Sequence, residues 1–124
     1  MAIIDAVELS RDLIRCPSIT PADAGALDVL QRALEGIGFT CHRLKFADSN
    51  TSDIDNLYAR IGDTAPNFCF AGHTDVVPLG NSDAWSVDPF GGEIIDDVLY
   101  GRGATDMKSA VGAFVDAASR VIEA

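Results

Sequence analysis

The sequence predicts an α/β fold, and three observations carry that prediction. Two segments with helical spacing of their apolar residues come first, three strand-like runs follow, and an amphipathic segment closes the sequence. The strand-like runs carry apolar residues at successive positions, as strands buried on both faces do. Helices that alternate with such strands indicate a sheet covered by helices.

The first helix is predicted over residues 3–15. Its apolar side chains recur at helical spacing, and charged side chains lie between them. Cys16 stands directly before a proline, and the residue before a proline is disfavoured in the α conformation. The helix is therefore expected to end at this point.

The second helix is predicted to begin with Thr20 as its N-cap, because Pro21 then takes the first helical position and Asp23 the first turn. Gly36 and Gly38 are suited to end it, since glycine readily adopts the left-handed conformation of a C-terminal cap. The apolar stripe expected to face the core consists of Leu27, Leu30, Leu34 and Ile37.

Strands are predicted over residues 39–46, 56–61 and 67–77, and segments rich in turn-forming residues at 47–55 and 62–66 separate them. These separators indicate where the chain reverses direction.

Three further segments follow the third predicted strand. Residues 78–92 are predicted to form an ordered loop, and residues 98–103 begin as a short strand. The last helix is predicted over residues 106–123, where apolar side chains line one side.

The composition excludes several classes of partner. A chain of 124 residues is long enough for one domain with a hydrophobic core. Its net charge of −10 argues against nucleic acid and anionic membranes, because both attract basic surfaces. No segment approaches the roughly 18 consecutive apolar residues that a membrane span requires.

The N-terminal segment and the cysteines predict a cytoplasmic location. Charged residues interrupt the first sixteen positions, as they do not in a signal peptide. The three cysteines are odd in number and widely spaced, so reduced thiols are expected rather than a disulfide framework.

The segment FAGHTDVVP, residues 70–78, places His73 and Asp75 within the third predicted strand. Side chains two positions apart project from the same face of a strand. The two residues could simply satisfy each other in a polar pair. Alternatively, His73 could bind a metal ion while Asp75 orients its ring. These two residues alone leave both interpretations open.

The segment YGRGATDMKSA, residues 100–110, contains glycines, a lysine and a serine at a strand-to-helix junction. A phosphate-binding loop has these ingredients, but it needs glycine directly before its lysine, and Met107 stands there instead. Asp106 could be a metal ligand at the end of a strand. It could equally be an N-cap of the last helix.

Several motifs resemble the signature of the two-zinc aminoacylase and carboxypeptidase family of metallohydrolases. They are GHTDVVP at 72–78, Trp85 with DPF at 88–90, and LYGRGATDMKS at 99–109, and the segment 12–39 adds to the match. The resemblance covers nearly the whole chain in the same order. It implies a three-layer, zinc-exopeptidase-like catalytic domain with a mixed β-sheet flanked by helices, of which residues 1–124 would be the N-terminal part.

The resemblance also implies roles for individual residues. His73 resembles a histidine that binds one zinc, Asp106 the carboxylate that bridges two, and Asp75 the catalytic-site aspartate that holds the zinc-bound imidazole. Gly101 and Gly103 would let the backbone pass close to the metals. His73 and Asp106 are expected to approach each other, and a cis peptide bond is expected between Asp106 and Met107.

The activity implied is zinc-dependent hydrolysis of an amide in a small succinylated amino acid of lysine and diaminopimelate biosynthesis. Two Zn²⁺ per subunit, with Co²⁺ as a possible substitute, and a homodimer are implied as well. A glutamate base, further metal ligands and a dimerisation domain are expected outside residues 1–124. The chain alone is therefore expected to be inactive, to bind zinc weakly and to expose apolar surface. The alternatives are another deacylase or peptidase of the family, or a non-catalytic binding or structural fragment.

Overall fold

The computed structural model describes residues 3–124, which form three α-helices and two antiparallel hairpins. In chain order the elements are α1 (Ala6–Ile14), α2 (Ala26–Gly36), β1 (Thr40–Asp48), β2 (Thr51–Arg60), β3 (Ile94–Ile95), β4 (Val98–Leu99) and α3 (Ser109–Glu123). Two helices come first, strands follow, and a helix closes the described chain, as the sequence predicts. Within the described residues, however, the named strands pair only in antiparallel fashion, and the parallel pairing is one isolated bridge between Ile19 and Val76.

The core lies where α1 and α2 meet α3. Leu13 of α1 and Val115 of α3 are almost completely buried there. The cluster of buried apolar side chains consists of Leu9, Leu13, Ala26, Leu34, Ile37, Val111 and Val115. None of the helices formed by the described residues has the length and apolar character that crossing a bilayer requires.

The predicted start of α2 is wrong by about one and a half turns. The helix begins at Ala26 rather than directly after Thr20, because Ala24 and Gly25 have positive φ angles of 51° and 86° and thus interrupt the helical path. Gly25 is therefore the N-cap instead of Thr20, and Asp23 lies before the helix, where its carboxylate accepts hydrogen bonds from the backbone N–H groups of Gly25 and Leu27, each at 3.1 Å.

The strand β2 begins earlier than predicted. It starts at Thr51, within the segment expected to be a turn, because that segment pairs with β1 rather than leaving the sheet. Lys45 pairs with Asp55 in the ladder, and Arg43 donates to the carboxylate of Asp55 at 2.5 Å. Backbone pairing and ion pairs thus extend the hairpin through residues whose polarity suggests a turn.

The third predicted strand, residues 67–77, is not a strand of any sheet among the described residues. Only Val76 pairs with a neighbouring segment: its N–H donates to the carbonyl of Ser18 at 2.9 Å, and its carbonyl accepts from Thr20 N at 2.9 Å. A strand requires a partner as well as a suitable sequence, and residues 69–75 form no ladder within the part of the chain that the structure describes.

Apolar side chains are exposed to solvent beside residues 67–77. A cleft of about 820 Å³ lies between α2, β2, the segment 67–75 and α3. Phe68 is 83% exposed, and Val121 of α3 is 76% exposed, which is unusual for large apolar side chains. The expected exposure of apolar surface is therefore observed, whereas the expected weak stability or self-association stays a prediction.

Candidate metal centre

The two candidate ligands lie side by side. The imidazole Nε2 of His73 is 3.0 Å from the carboxylate Oδ1 of Asp106, although thirty-three positions separate the two residues in the chain. Both side chains are accessible, at 47% for His73 and 85% for Asp106. The predicted approach of these two residues is therefore confirmed.

The segment that carries His73 is attached to the chain between α1 and α2. The hydroxyl of Ser18 donates to the carbonyl of Thr74 at 2.7 Å, and the pairing of Val76 with this segment continues the contact. Met107 contacts the same segment from the side of the Asp106 turn, because its sulfur accepts a hydrogen bond from the backbone N–H of His73 at 3.4 Å. These contacts thus place the histidine against the turn that carries Asp106.

Asp106 lies in a distorted turn before α3. Its φ and ψ angles of −124° and 96° are not helical, and α3 begins only at Ser109. The predicted helix start at Asp106 is therefore wrong. The N-cap interpretation of Asp106 fails as well, because no side chain caps α3 and Asp106 instead contacts His73. The peptide bond between Asp106 and Met107 is cis, as expected from the resemblance.

Asp75 contacts the opposite nitrogen of the His73 ring. The Nδ1 atom of His73 lies 3.0 Å from the carbonyl oxygen of Asp75 and 3.2 Å from its carboxylate Oδ1. A proton on Nδ1 that is donated to Asp75 leaves Nε2 to face Asp106. This is the orienting contact that the second interpretation of the pair requires.

The pKa of His73 is set by opposing influences. Burial is the largest and lowers it, but hydrogen bonds to Asp75 and Asp106 and the charges of both carboxylates together raise the pKa above its ordinary value. The imidazolium is thus favoured between two carboxylates, and a metal ion at Nε2 would have to displace its proton.

The donor set fits part of a metal site. An imidazole nitrogen and a carboxylate oxygen 3.0 Å apart can both contact one Zn²⁺ ion, which holds such ligands at about 2.0–2.2 Å. The two side chains open into a cavity of about 260 Å³. Among residues 3–124, however, no group of three or more His, Cys, Asp or Glu side chains could hold a metal.

The glycines of the second motif allow close packing with neighbouring side chains. A Cβ on Gly103 would lie 2.5 Å from Val76 Cγ1, and one on Gly101 would lie 2.6 Å from Ile14 Cγ2. Gly103 also has a φ of +85°, which other residues rarely adopt. These glycines pack closely against apolar side chains, and both also line the cavity into which His73 and Asp106 open, so their close approach to metals stays a prediction.

Arg102 and Trp85 hold the loop before β3 in place. The guanidinium of Arg102 lies 5.1 Å from the centre of the Trp85 ring, and both side chains donate hydrogen bonds to the carbonyl of Leu79. Neither contacts His73 or Asp106. These contacts are those of structural residues that fix the loop.

Lys108 lies two positions after Asp106, and the sequence interpretation assigned it no role at the site. It is completely buried, and burial lowers the pKa of its ammonium to about 8. A signal was present in the sequence: Lys108 precedes the buried Val111 by three positions and Val115 by seven, so it falls on the buried face of the helical pattern.

The sequence of this chain is similar to a known protein family and to several known enzymes. Residues 69–124 match the family model described as Peptidase family M20/M25/M40, a family whose members are generally metallohydrolases. The chain is 67% identical over 119 residues to a succinyl-diaminopimelate desuccinylase of Rhodospirillum centenum, covering 96% of this chain and 31% of that protein. It is 59% identical over 117 residues to the desuccinylase of Parvibaculum lavamentivorans, covering 94% of this chain and 30% of that protein.

A solved structure supports the same assignment of fold. The crystal structure of human carnosine dipeptidase 1 matches 95% of this chain and 28% of that one, with a TM-score of 0.75 and 25% sequence identity. The predicted α/β, peptidase-like fold is therefore confirmed. The chain is homologous to succinyl-diaminopimelate desuccinylases over about 30% of their length, and residues 69–124 carry the sequence pattern of peptidase family M20/M25/M40.

Proposed function

We propose that residues 1–124 are the N-terminal part of the catalytic domain of a zinc-dependent amide hydrolase. The reaction proposed is the cleavage of N-succinyl-LL-2,6-diaminopimelate by water into succinate and LL-2,6-diaminopimelate. The observation that carries this proposal is the 3.0 Å approach of His73 Nε2 to Asp106 Oδ1, in a chain that shares 67% identity with a succinyl-diaminopimelate desuccinylase.

His73 and Asp106 are proposed as metal ligands, and Asp75 as the residue that orients the His73 ring. Zn²⁺ held there would supply a Lewis acid and a bound water of low pKa. Asp75 would hold the proton on Nδ1, so that Nε2 is the nitrogen that binds the ion once its own proton is displaced. Asp106 has a second carboxylate oxygen, which allows it to bridge two ions.

The remaining features of the whole protein are part of the same proposal, because the chain spans about 30% of the length of its curated relatives. They are two Zn²⁺ per subunit, with Co²⁺ as a substitute, a homodimer, a cytoplasmic location and a small succinylated substrate. The remaining metal ligands, the general base and the dimerisation domain are assigned to sequence outside residues 1–124.

The chain by itself is expected to bind zinc weakly and to show no hydrolysis. Catalytic zinc sites usually have three protein ligands, whereas two approach each other among the described residues. A general base contributes about 10²–10⁴-fold in rate, and none is assigned here.

The proposal is tested in the full-length protein with two histidine variants. The bound zinc and the release of succinate from N-succinyl-diaminopimelate are measured for His73→Ala and for His42→Ala. His42 is the matched control, since it is the other histidine of the chain and stacks on Tyr58 in the β1–β2 hairpin. We expect His73→Ala to lose zinc and activity and His42→Ala to keep both. Full zinc occupancy and activity in His73→Ala would overturn the proposal.

A second candidate is the hydrolysis of a dipeptide, which the similarity to the structure of carnosine dipeptidase 1 favours. Both reactions cleave an amide, so the metal ligands do not separate them. Relative kcat/KM for the succinylated substrate and for a panel of dipeptides decides between them. A clear preference for dipeptides would replace the first candidate while leaving the metal site intact.

A further inference from the structure

Lys108 makes contacts that connect the turn carrying Asp106 to the end of α1. Its ammonium donates to the carbonyl of Leu13 at 2.8 Å and to the carbonyl of Cys16 at 2.9 Å. These carbonyls lie in the last turn of α1 and just beyond it, where the helix dipole presents its negative end. The charge is thus buried against main-chain oxygens that favour it.

The rest of Lys108 fixes the turn from within. Its backbone N–H donates to the carbonyl of Gly103 at 2.8 Å, which closes the turn around Asp106. Its side chain then passes over Gly103, where an added Cβ would lie 3.3 Å from Lys108 Cδ. The Lys108 side chain therefore connects the turn that carries Asp106 to the end of α1.

The segment that carries His73 is anchored to the same part of the chain. Ser18 follows Cys16 by two positions, and its hydroxyl donates to the carbonyl of Thr74, next to His73. Residues 13–20 consequently contact both halves of the site. The two attachments thus meet at one short stretch of chain, beside the direct contact between His73 and Asp106.

We propose that Lys108 is a positioning residue: its buried ammonium, by holding the end of α1, sets where Asp106 lies relative to His73. The relevance of this role to catalysis rests on the proposed function. The geometric statement does not, because it concerns two side chains in the metal-free protein.

The chain offers a simple experiment, since it contains two histidines and two lysines. The ring ¹⁵N and ¹H resonances of His73 and His42 are recorded without metal at about pH 5, where ordinary imidazoles are protonated. Lys108→Met removes the ammonium with little change in length. Lys45→Met is the matched control, because the Lys45 side chain is 66% exposed on β1. Asp106→Asn gives the resonance of a His73 ring that has lost its carboxylate partner.

If Lys108 positions Asp106, Lys108→Met shifts the His73 resonances most of the way towards those of Asp106→Asn and leaves His42 unchanged. Lys108→Arg, which keeps donors for the two carbonyls, returns the His73 resonances towards the wild-type position. Lys45→Met leaves His73 unchanged. If Lys108 only stabilises the fold, Lys108→Met lowers the urea midpoint of unfolding and leaves the His73 resonances of the folded protein unchanged.

Unchanged His73 resonances in folded Lys108→Met would overturn the proposal, and so would equal shifts at both histidines. If Lys108→Met does not fold, Lys108→Gln, which is neutral and retains an N–H donor, is measured against the same references and judged in the same way. No metal or substrate enters the experiment. Unchanged His73 resonances therefore leave the hydrolase proposal standing. Conversely, a failure to find zinc in the full-length protein would not alter the conclusion about Lys108.

Discussion

The candidate metal-centre region, residues 70–78 and 100–109, and the β1–β2 hairpin each contain one histidine and one lysine, in opposite surroundings. In the hairpin, His42 stacks on Tyr58 with ring centres 6.3 Å apart, and Lys45 is largely exposed. In the metal-centre region, Lys108 is completely buried and His73 lies between two carboxylates. The same residue types are therefore used for local surface pairing in one region and for long-range attachment in the other.

The two regions differ in the contacts that fix their side chains in place. The hairpin is held by the ladder between neighbouring strands, so a side chain there affects mainly its own surroundings. The candidate metal centre is held by contacts between segments far apart in sequence, such as the bond from Lys108 to Leu13 across 95 positions. Changes at the metal centre should thus cost more stability than matched changes in or beside the hairpin.

The largest difference is expected between two glycines with positive φ. Gly103→Ala would place a Cβ 2.5 Å from Val76 Cγ1 at a φ of +85°, so overpacking and backbone strain act together. We expect the free energy of unfolding to fall by about 3 kcal/mol or more. Gly62→Ala, next to β2, has a φ of +78° but nothing within 4 Å of its Cβ. Its free energy of unfolding should fall by only about 1 kcal/mol. Urea unfolding measures both, and equal losses would contradict the close packing at Gly103.

A smaller difference is expected between two serines. Ser18→Ala removes the hydroxyl that donates to the carbonyl of Thr74 at a completely buried position. The carbonyl of Thr74 loses a partner, and we expect the free energy of unfolding to fall by about 1–2 kcal/mol. Ser52→Ala, at an exposed position of β2, should change stability by less than about 0.5 kcal/mol. Chemical denaturation of both variants provides the comparison, and a neutral Ser18→Ala would show that this attachment does not stabilise the site.

The smallest effect is expected in the hairpin itself and depends on pH. The guanidinium of Arg43 holds the pKa of Asp55 below its usual range, mainly through a hydrogen bond. A lowered folded-state pKa stabilises the fold above the unfolded value of about 3.9, and this contribution disappears as the pH falls further. Asp55→Asn should therefore cost about 1 kcal/mol near pH 7.

The difference between wild type and Asp55→Asn should shrink below about pH 4, as the carboxyl becomes protonated. Asp53→Asn is the control, because Asp53 lies 4.0 Å from Lys45 in a largely exposed pair. It should have little effect at either pH. Thermal unfolding at a series of pH values measures both variants, and a pH-independent cost of Asp55→Asn would refute the assignment.

The sequence predicts local structure well where neighbouring residues determine it. The apolar spacing and the proline after Cys16 place the end of the first helix at residue 15, one position beyond the observed end of α1 at Ile14. The predicted strand at 67–77 fails for a different reason. Its residues favour an extended backbone, but pairing depends on a partner segment that local pattern does not specify.

The candidate site shows the same limit. Resemblance was needed to bring His73 and Asp106 together, since nothing in their spacing predicts a 3.0 Å contact across thirty-three positions. The burial of Lys108 follows from helical spacing with Val111 and Val115, but its two carbonyl partners on α1 do not. Contacts between distant segments are decided by tertiary packing, and a single sequence does not encode them as a pattern.

The central claim is that His73 and Asp106 bind one metal ion together. Crystals of the full-length protein grown with zinc test it directly, through anomalous scattering at the zinc absorption edge. We predict an anomalous peak about 2.0–2.2 Å from both His73 Nε2 and a carboxylate oxygen of Asp106. Zinc bound elsewhere, with His73 and Asp106 still in mutual contact and free of metal, would contradict the account.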